Sequence, residues 1–158
     1  MGISEKIKND VNALLIITQD AIKRAELVNP KLNAIAVADF DGAIARVENP
    51  IEGNFSGVPT FIKDTDEVTG IPLHLGSRAL PGNISTKLSK AATQLLGSGL
   101  NYLGTTTTPE FGLTGTTESL KFGATKNPWN LAYSTGGSSG GSAAMVASGV
   151  VPIAVSYT

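Results

Sequence analysis

A run of glycines and serines, STGGSSGGSAAMVASG at residues 134–149, is the stretch of this chain with the clearest capacity for chemistry. Its composition alone favours a flexible tether, because Gly/Ser-rich segments bury little apolar surface. Its setting favours a rigid loop, since a helix is predicted to begin within the run and little chain follows it. Glycines let the backbone approach a ligand closely, and the following helix would present free N–H groups.

The glycine pattern matches no common motif completely. A phosphate-binding P-loop needs a lysine after the glycines, and none follows here. GGSSG at 136–140 matches the Gly-x-Ser-x-Gly of a hydrolase nucleophile elbow, but the elbow must follow a strand, and NPWNLAYST at 127–135 is not predicted to be one. The elbow also needs a later histidine. The only histidine, His74, lies upstream and is interpreted as a loop or packing residue.

Lys63 is the candidate base for a serine that has no histidine. A lysine can act as a base when desolvation lowers its pKa. Lys63 ends the apolar run VPTFI at 58–62, where a charged amine is costly unless it is hydrogen-bonded or neutralised. The chain has no Ser-x-x-Lys, which excludes the penicillin-binding type of arrangement. Taken alone, Lys63 as a strand-end lysine that reaches solvent remains an open alternative.

The apolar pattern predicts the elements that would position these residues. Helical spacing over 7–25 predicts a first helix, capped by Ser4 and stopped by the pair Asn29-Pro30. LNAIAVAD at 32–39 is ambiguous between strand and helix. A strand at 58–62, a helix at 88–96 and a strand at 100–106 follow, an order typical of a parallel sheet covered by helices.

Two further elements are predicted around and after the Gly/Ser run. A helix is predicted with its first turn at 142–145, and VVPIAV at 150–155 is an apolar strand candidate. The fold class that these elements indicate is α/β.

Bulk composition excludes several functions. With 158 residues, 41% hydrophobic and 16% charged, the chain has the composition of one globular domain. A net charge of -1 provides no basic surface for nucleic acid or an acidic membrane. The absence of cysteine excludes disulfides, thiolate catalysis and the common zinc sites. No signal-peptide pattern opens the chain, and ALLII at 13–17 is too short to span a bilayer, so we expect a cytoplasmic protein.

Four blocks of the chain resemble the amidase signature family. GVPTFIKD at 57–64 is similar to its lysine segment, and GTTTTPEFG at 104–112 to its Thr-x-x-Pro-Glu-Phe stretch. TTESLKFGATKNPWN at 116–130 resembles its Glu-Ser, Phe-Gly and Asn-Pro-Trp block, and STGGSSGGSAA at 134–144 the signature itself. Four blocks in the family's order are far more specific than one Gly-x-Ser-x-Gly match.

The resemblance implies an α/β/α fold around a mixed sheet and hydrolysis of small-molecule amides by a Ser/Ser/Lys triad, without metal or cofactor. It makes Lys63 the triad base and Ser138 the bridging serine on a cis peptide, while Ser139 would orient the lysine. The glycines that would allow the close backbone path are Gly136, Gly137, Gly140 and Gly141. On this interpretation the Gly/Ser run is a rigid catalytic loop.

Three polar residues of the third block have two open interpretations. Thr116, Thr117 and Glu118 could line the substrate pocket, or they could be structural loop residues.

The attacking serine of the family lies in an Asp-x-Gly-Gly-Ser-Ile-Arg stretch, whose N–H groups also form the oxyanion hole. The 158 residues contain no such stretch, and Ser156 lacks the flanking glycines. We therefore expect residues 1–158 to be a single incomplete domain, the N-terminal part of an amidase-signature domain, without turnover on its own. Exposed sheet edges and uncovered apolar helix faces would then favour self-association.

Two other functions stay open at this point. A truncated homologue could bind an amide or a partner chain without catalysis. The glutaminase-like subunit of a tRNA-dependent amidotransferase shares the same signature, and partner dependence and glutamine preference would distinguish it. The sequence does not identify the acyl group or the amine of the substrate.

Overall fold

The computed structural model describes residues 10–154. Its elements in chain order are α1 (Val11–Leu32), β1 (Ile35–Ala38), α2 (Phe40–Arg46), β2 (Pro59–Lys63), α3 (Lys90–Leu96), β3 (Asn101–Thr106), a 3-10 turn (Glu110–Gly112), β4 (Glu118–Ser119), β5 (Gly123–Ala124), β6 (Lys126–Asn127), β7 (Asn130–Ser134) and α4 (Gly140–Ala147).

A three-stranded mixed sheet is the framework of this α/β fold. Its strand order is β1-β3-β2, with β3 antiparallel to β1 and parallel to β2. The predicted strand–helix–strand unit is confirmed, with α3 as the crossover between the parallel strands. The ambiguous segment at 32–39 contains β1, after the last residue of α1. Lys63 pairs with Thr106 where β2 and β3 both end. The residues that follow these two strands therefore meet at the same end of the sheet.

Helices cover both faces of this sheet, and β2 contributes side chains to both, since neighbouring residues of a strand point to opposite faces. Phe61 packs in a buried cluster with Ala25 of α1 and Met145 of α4. Ile62 packs in a second cluster with Leu96 of α3. The helices and the sheet therefore form three layers.

Helix α1 differs from the prediction at both ends. Asp10 caps its start by accepting the N–H groups of Asn12 and Ala13 at 3.0 and 3.3 Å, whereas the predicted cap Ser4 lies outside the described residues. The prediction that Asn29-Pro30 stops the helix is wrong. Pro30 lies in the last turn, where its missing N–H costs one hydrogen bond. The helix continues to Leu32, and Asn33 caps it with a φ of 51°.

The hairpin of β6 and β7 corrects another prediction, since 127–135 was expected to contain no strand. The two strands pair antiparallel. β7 is exposed along most of its length, with Leu131 44% and Tyr133 66% exposed. A strand with neither face buried has no alternation of apolar and polar residues, which is why the sequence pattern missed it.

The end of the described chain also differs from expectation. Helix α4 begins at Gly140, two residues before the predicted first turn, and residues 151–154 form no regular strand. Val155 lies outside the described residues. None of the helices at 10–154 is long and apolar enough to cross a membrane.

The two edge strands of the sheet differ in exposure. Every residue of β2 is buried, and the hydroxyl of Thr60 donates to the carbonyl of Ile153 at 3.0 Å, so the segment after α4 runs close to this edge. Strand β1 at the other edge is only half-buried. Self-association through sheet edges stays a prediction.

Candidate active site

Lys63 and two serines of the Gly/Ser run lie in contact. Lys63 Nζ is 2.7 Å from Ser138 Oγ and 3.0 Å from Ser139 Oγ, across 75 and 76 residues of sequence. Lys63 is only 2% exposed. The alternative of a strand-end lysine that reaches solvent is therefore wrong for this residue, because its amine ends on two hydroxyls inside the protein.

The environment of Lys63 favours its neutral form. Burial lowers the pKa of Lys63 from the ordinary lysine value, and the negative charge of Asp66 opposes this to a smaller extent. Asp66 itself is buried and accepts a hydrogen bond from Ser89 Oγ at 2.6 Å. A neutral amine has a free lone pair, so it can take a proton from a neighbouring hydroxyl.

Two threonines fasten the loop that carries Ser138. Thr117 Oγ1 donates to the carbonyl of Gly136 at 2.8 Å and accepts the N–H of Gly140 at 3.1 Å. Thr108 Oγ1 donates to the carbonyl of Ser138 itself at 3.1 Å. The peptide bond that joins Ser138 to the preceding glycine is cis. The Gly/Ser run is thus a braced loop and not a tether.

The glycines of this loop are required by its geometry. Gly136 has a φ of 76°, in the left-handed region that favours glycine. A Cβ on Gly140 would overlap the hydroxyls of Thr117 and Thr135. A Cβ on Gly141 would lie 2.6 Å from the backbone nitrogen of Thr107, and one on Gly137 would lie 2.9 Å from the carbonyl oxygen of Thr114.

The residues with two open interpretations divide into a buried one and two exposed ones. Thr117 is 1% exposed, and its hydroxyl is committed to the two loop hydrogen bonds. Thr116 and Glu118 are exposed, and Glu118 begins β4. The structural interpretation therefore fits Thr117.

A set of buried threonines at the end of β3 was not singled out from the sequence. Thr106 Oγ1 lies 2.8 Å from Ser142 Oγ on α4, and Thr107 Oγ1 lies 2.7 Å from Thr125 Oγ1. With Thr108, these residues connect the sheet to the loop. The available signal was the run GTTTTP at 104–109, because four polar residues at the end of a strand and just after it must find hydrogen-bond partners if they are buried.

Asp64 follows Lys63 in sequence and connects this position to the segment at 74–76. It is fully buried and accepts the N–H groups of His74 and Gly76, each at 3.1 Å. Burial raises the pKa of Asp64 to about 6, against the opposing effect of these hydrogen bonds and of Lys121. Among residues 10–154, no three His, Cys, Asp or Glu side chains form a group that could hold a metal ion.

His74 is a packing residue in this structure. Its ring meets Phe122 edge-on at 5.5 Å, and its Nδ1 lies 3.7 Å from Asp64 Oδ1, too long for a hydrogen bond. Burial lowers the pKa of His74, and the positive charge of Lys121 lowers it further. The interpretation of His74 as a loop or packing residue fits these contacts.

The sequence matches one family model and is similar to proteins named as amidases and amidotransferase subunits. The model of the family described as Amidase matches residues 16–156. The Mycobacterium tuberculosis protein named "Putative amidase AmiC" is 46% identical over 140 residues, which are 87% of this chain and 30% of that protein. A glutamyl-tRNA(Gln) amidotransferase subunit of Methanosarcina mazei is 36% identical over 148 residues, or 94% of this chain and 27% of that protein.

The fold is similar to that of a solved hydrolase. The structure of 6-aminohexanoate cyclic dimer hydrolase complexed with substrate matches with a TM-score of 0.82 at 36% identity, over 87% of this chain and 29% of that one. The chain spans about 30% of the length of the curated relatives that it matches.

Proposed function

The chain belongs to the amidase family, and we propose that its Lys63–Ser138 pair is the proton-transfer part of a Ser/Ser/Lys triad that hydrolyses small-molecule amides. One observation carries this proposal. A lysine that is 2% exposed has its amine 2.7 Å from the hydroxyl of Ser138. Such a contact between a desolvated amine and a hydroxyl is the arrangement that makes lysine a general base.

Lys63 acts as the base in this scheme. Its neutral amine takes the proton of Ser138 Oγ while Ser138 takes the proton of the attacking serine. The attack forms an acyl-enzyme, the proton returns through the same groups to the leaving amine, and water then hydrolyses the ester. Ser138 therefore connects the base to the nucleophile.

Ser139 orients the amine. A neutral amine has two N–H donors and one lone pair. A hydrogen bond from Lys63 Nζ to Ser139 Oγ at 3.0 Å occupies one donor and directs the lone pair towards Ser138. The family resemblance implies the same role for this residue.

The attacking serine is the part of the triad that the 158 residues do not supply in the family's pattern. No Asp-x-Gly-Gly-Ser-Ile-Arg stretch occurs in them, and Ser156 lies outside the described residues. The proposal therefore includes that the 158-residue chain alone does not turn over amides, because a nucleophile and an oxyanion hole each lower the barrier by several kcal/mol, on the order of 10²-fold or more in rate.

A chimeric enzyme tests the triad role. Residues 16–156 of this chain would replace the matching part of 6-aminohexanoate cyclic dimer hydrolase, which keeps the rest of its own chain. We expect amide hydrolysis by the chimera, and a fall in kcat of at least about 100-fold with Lys63→Met or Ser138→Ala. Lys87→Met, at a lysine whose side chain is 72% exposed, is the control and should leave kcat unchanged. An active chimera that is insensitive to Lys63→Met would contradict the proposal.

A titration in the 158-residue chain keeps the proposal testable if the chimera does not fold. NMR of labelled lysine side chains, with Lys63→Met to assign the signal, gives the titration midpoint of this amine. We expect it below the ordinary lysine value, because the amine is desolvated. A Lys63 midpoint at the ordinary lysine value would contradict its proposed role as the base of the triad.

A further inference from the structure

We propose that Asp64 is a positioning residue of the Ser/Ser/Lys triad. Its buried carboxylate fixes the turn at 74–77, and this turn holds the segment at 108–112 in place. That segment in turn fastens Ser138 beside Lys63. The inference rests on the Lys63–Ser138 pair of the proposed function. It goes beyond that function because the proton transfer uses no carboxylate, whereas Asp64 determines where the transferring groups lie.

The carboxylate of Asp64 is committed to the turn at 74–77. Asp64 is fully buried, and its Oδ1 accepts the N–H of His74 while its Oδ2 accepts the N–H of Gly76, each at 3.1 Å. The N–H of Asp64 donates to the carbonyl of Thr106 at 3.0 Å, so the carboxylate is itself anchored on the sheet. Because backbone N–H groups away from water need an acceptor, the two oxygens determine where the turn lies.

Two hydrogen bonds join this turn to the segment at 108–112. The N–H of Phe111 donates to the carbonyl of Leu75 at 2.7 Å, and Ser77 Oγ donates to Glu110 Oε1 at 2.6 Å. Ser77 is fully buried, so water does not compete for its hydroxyl. The turn and the segment therefore keep a fixed relative position.

Close packing at Gly76 leaves no clearance between the turn and the segment. Gly76 has a φ of 63°, and a Cβ on it would lie 2.5 Å from the carbonyl oxygen of Thr108 and 2.7 Å from that of Pro109. The backbone of the turn thus lies directly against these two carbonyl groups. A displacement of Gly76 would therefore move Thr108.

Backbone strain occurs at the same contact. Leu75 and Phe111, which share a hydrogen bond, have φ values of 50° and 52°, in the left-handed region that residues with a Cβ rarely adopt. Within residues 10–154, Asn33 is the only other non-glycine residue with a positive φ. Such conformations persist where surrounding contacts impose them, and they cluster at functional sites. The strain at both partners indicates that the contacts around them determine this geometry.

The segment at 108–112 reaches Ser138 at two points. Thr108 Oγ1 donates to the carbonyl of Ser138 at 3.1 Å. Gly112 lies beside the serine side chain, since a Cβ on this glycine would be 3.9 Å from Ser138 Oγ. The same hydroxyl is 2.7 Å from Lys63 Nζ. Proton transfer requires hydrogen-bond reach, so a displacement of the segment by about 1 Å would be sufficient to disturb the pair.

The experiment is the NMR titration of the Lys63 amine in the 158-residue chain and in its Asp64→Ala variant. We expect the midpoint to rise by about one pH unit or more towards the ordinary lysine value, because a displaced Ser138 loop lets water reach the amine. Loss of charge acts in the opposite direction. Burial raises the pKa of Asp64 only to about 6, so its carboxylate is negative at alkaline pH, and removal of a negative charge would lower the Lys63 midpoint. Asp20→Ala, at a side chain that is 70% exposed, should leave the midpoint unchanged.

Two further variants separate the contacts of Asp64 from its charge. Asp64→Asn removes the charge but keeps the size of the side chain and an oxygen acceptor, so the Lys63 midpoint should not rise. Gly76→Ala leaves Asp64 intact but places a methyl group against the Thr108 carbonyl, and it should raise the midpoint as Asp64→Ala does. Gly70→Ala is its matched control, because Gly70 also has a positive φ, 83°, but a Cβ there has nothing within 4 Å. If Asp64→Ala does not fold, Gly76→Ala provides the test.

The chimeric enzyme gives a second measurement. We expect Asp64→Ala to lower its kcat by about 10-fold or more with little change in KM, and Asp64→Asn to retain most of the kcat. A role in stability alone would lower the melting temperature of Asp64→Ala and leave the kcat of the folded chimera unchanged.

The outcomes distinguish this inference from the proposed function. A lowered Lys63 midpoint in the parent chain that does not rise in folded Asp64→Ala or Gly76→Ala would overturn the positioning role and keep the Lys63–Ser138 pair. A further fall of the midpoint in Asp64→Ala would also overturn it, since charge alone would then connect Asp64 to Lys63. An ordinary midpoint in the parent chain rejects the proposed function and this inference with it.

Discussion

Thr117 Oγ1 accepts a hydrogen bond from the N–H of Gly140 at 3.1 Å, although 23 residues separate the two. The same hydroxyl donates to the carbonyl of Gly136, so one side chain holds both ends of the loop that carries Ser138. The close approach also explains why position 140 has no side chain, since a Cβ there would overlap this hydroxyl.

Replacement of Thr117 by valine tests this brace. Thr117→Val keeps the shape of the side chain but removes both hydrogen bonds. The Gly140 N–H is then left without a partner, and the Gly136 carbonyl keeps only the longer hydrogen bond from Thr135 Oγ1 at 3.3 Å. We expect the free energy of unfolding to fall by about 1 to 3 kcal/mol in urea titrations. Thr116→Val, at the exposed neighbour, should change it by less than about 0.5 kcal/mol. Equal effects of the two variants would show that the hydroxyl is not a brace.

A pair of glycine substitutions tests the close packing of the loop. Gly140→Ala places a methyl group against the Thr117 and Thr135 hydroxyls, so we expect a loss of about 1 to 3 kcal/mol in unfolding free energy. Gly115→Ala is the matched control, because a Cβ there has nothing within 4 Å, and should change stability by no more than about 1 kcal/mol. Thermal unfolding followed by circular dichroism gives both values. A Gly140→Ala chain as stable as its parent would mean that the loop has room to move.

Asp64 predicts a pH dependence of stability. Because burial raises its pKa to about 6, the folded state holds this proton more tightly than the unfolded chain, where an aspartate titrates near about 4. The contribution of Asp64 is therefore fully present below about pH 4 and is lost as pH rises to about 6, in total about 2 to 3 kcal/mol. Asp64→Asn, which keeps an oxygen acceptor for the backbone N–H groups, should abolish this decline in urea titrations.

The titration of His74 changes stability with pH in the direction opposite to that of Asp64, so the measurement needs a comparison that cancels the His74 contribution. Since burial lowers its pKa, its contribution to stability grows as pH rises towards the ordinary histidine value. The quantity to compare is therefore the difference between Asp64→Asn and the parent chain at each pH. Asp20→Asn, at a side chain that is 70% exposed, should follow the parent. The window of pH 4 to 7 spans the ordinary pKa values of aspartate, about 3.9, and of histidine, about 6.5. A stability difference between Asp64→Asn and the parent chain that stays constant across this window would contradict the prediction.

Lys63 predicts a second pH dependence, at alkaline pH. Burial lowers its pKa, so the unfolded chain binds this proton more tightly than the folded one. Stability should therefore rise as pH increases from the lowered midpoint towards the ordinary lysine value of about 10.4. In Lys63→Met the rise should disappear, whereas Lys23→Met, at a side chain 73% exposed, should retain it. The measurement is the urea midpoint of unfolding between about pH 7 and 10. A midpoint of the parent chain that does not change with pH would mean that the Lys63 amine is charged in the folded protein.

Local pattern was sufficient for the elements that bury a regular apolar face. The strand that ends at Lys63, the following helix and the next parallel strand were predicted from continuous apolar runs and helical spacing, because burial imposes that periodicity on the sequence. The four blocks identified the family, and with it the roles proposed for Lys63 and Ser138. The hairpin at 126–134 and the helical turn through Pro30 were missed, since the first has no buried face and the second depends on a cap formed after the proline.

Only the tertiary structure decided what the amino acids of the site touch. The sequence by itself determined the α/β class, the family and the candidates Lys63 and Ser138. It left open whether Lys63 reaches solvent, whether the Gly/Ser run is a tether, and whether Thr117 lines a pocket. Packing decided the first two points by placing a buried amine 2.7 Å from a hydroxyl 75 residues away in a braced loop, and it commits the Thr117 hydroxyl to both ends of that loop. Hydrogen bonds between distant segments depend on how sheet and helices pack together, and no local residue pattern records that arrangement.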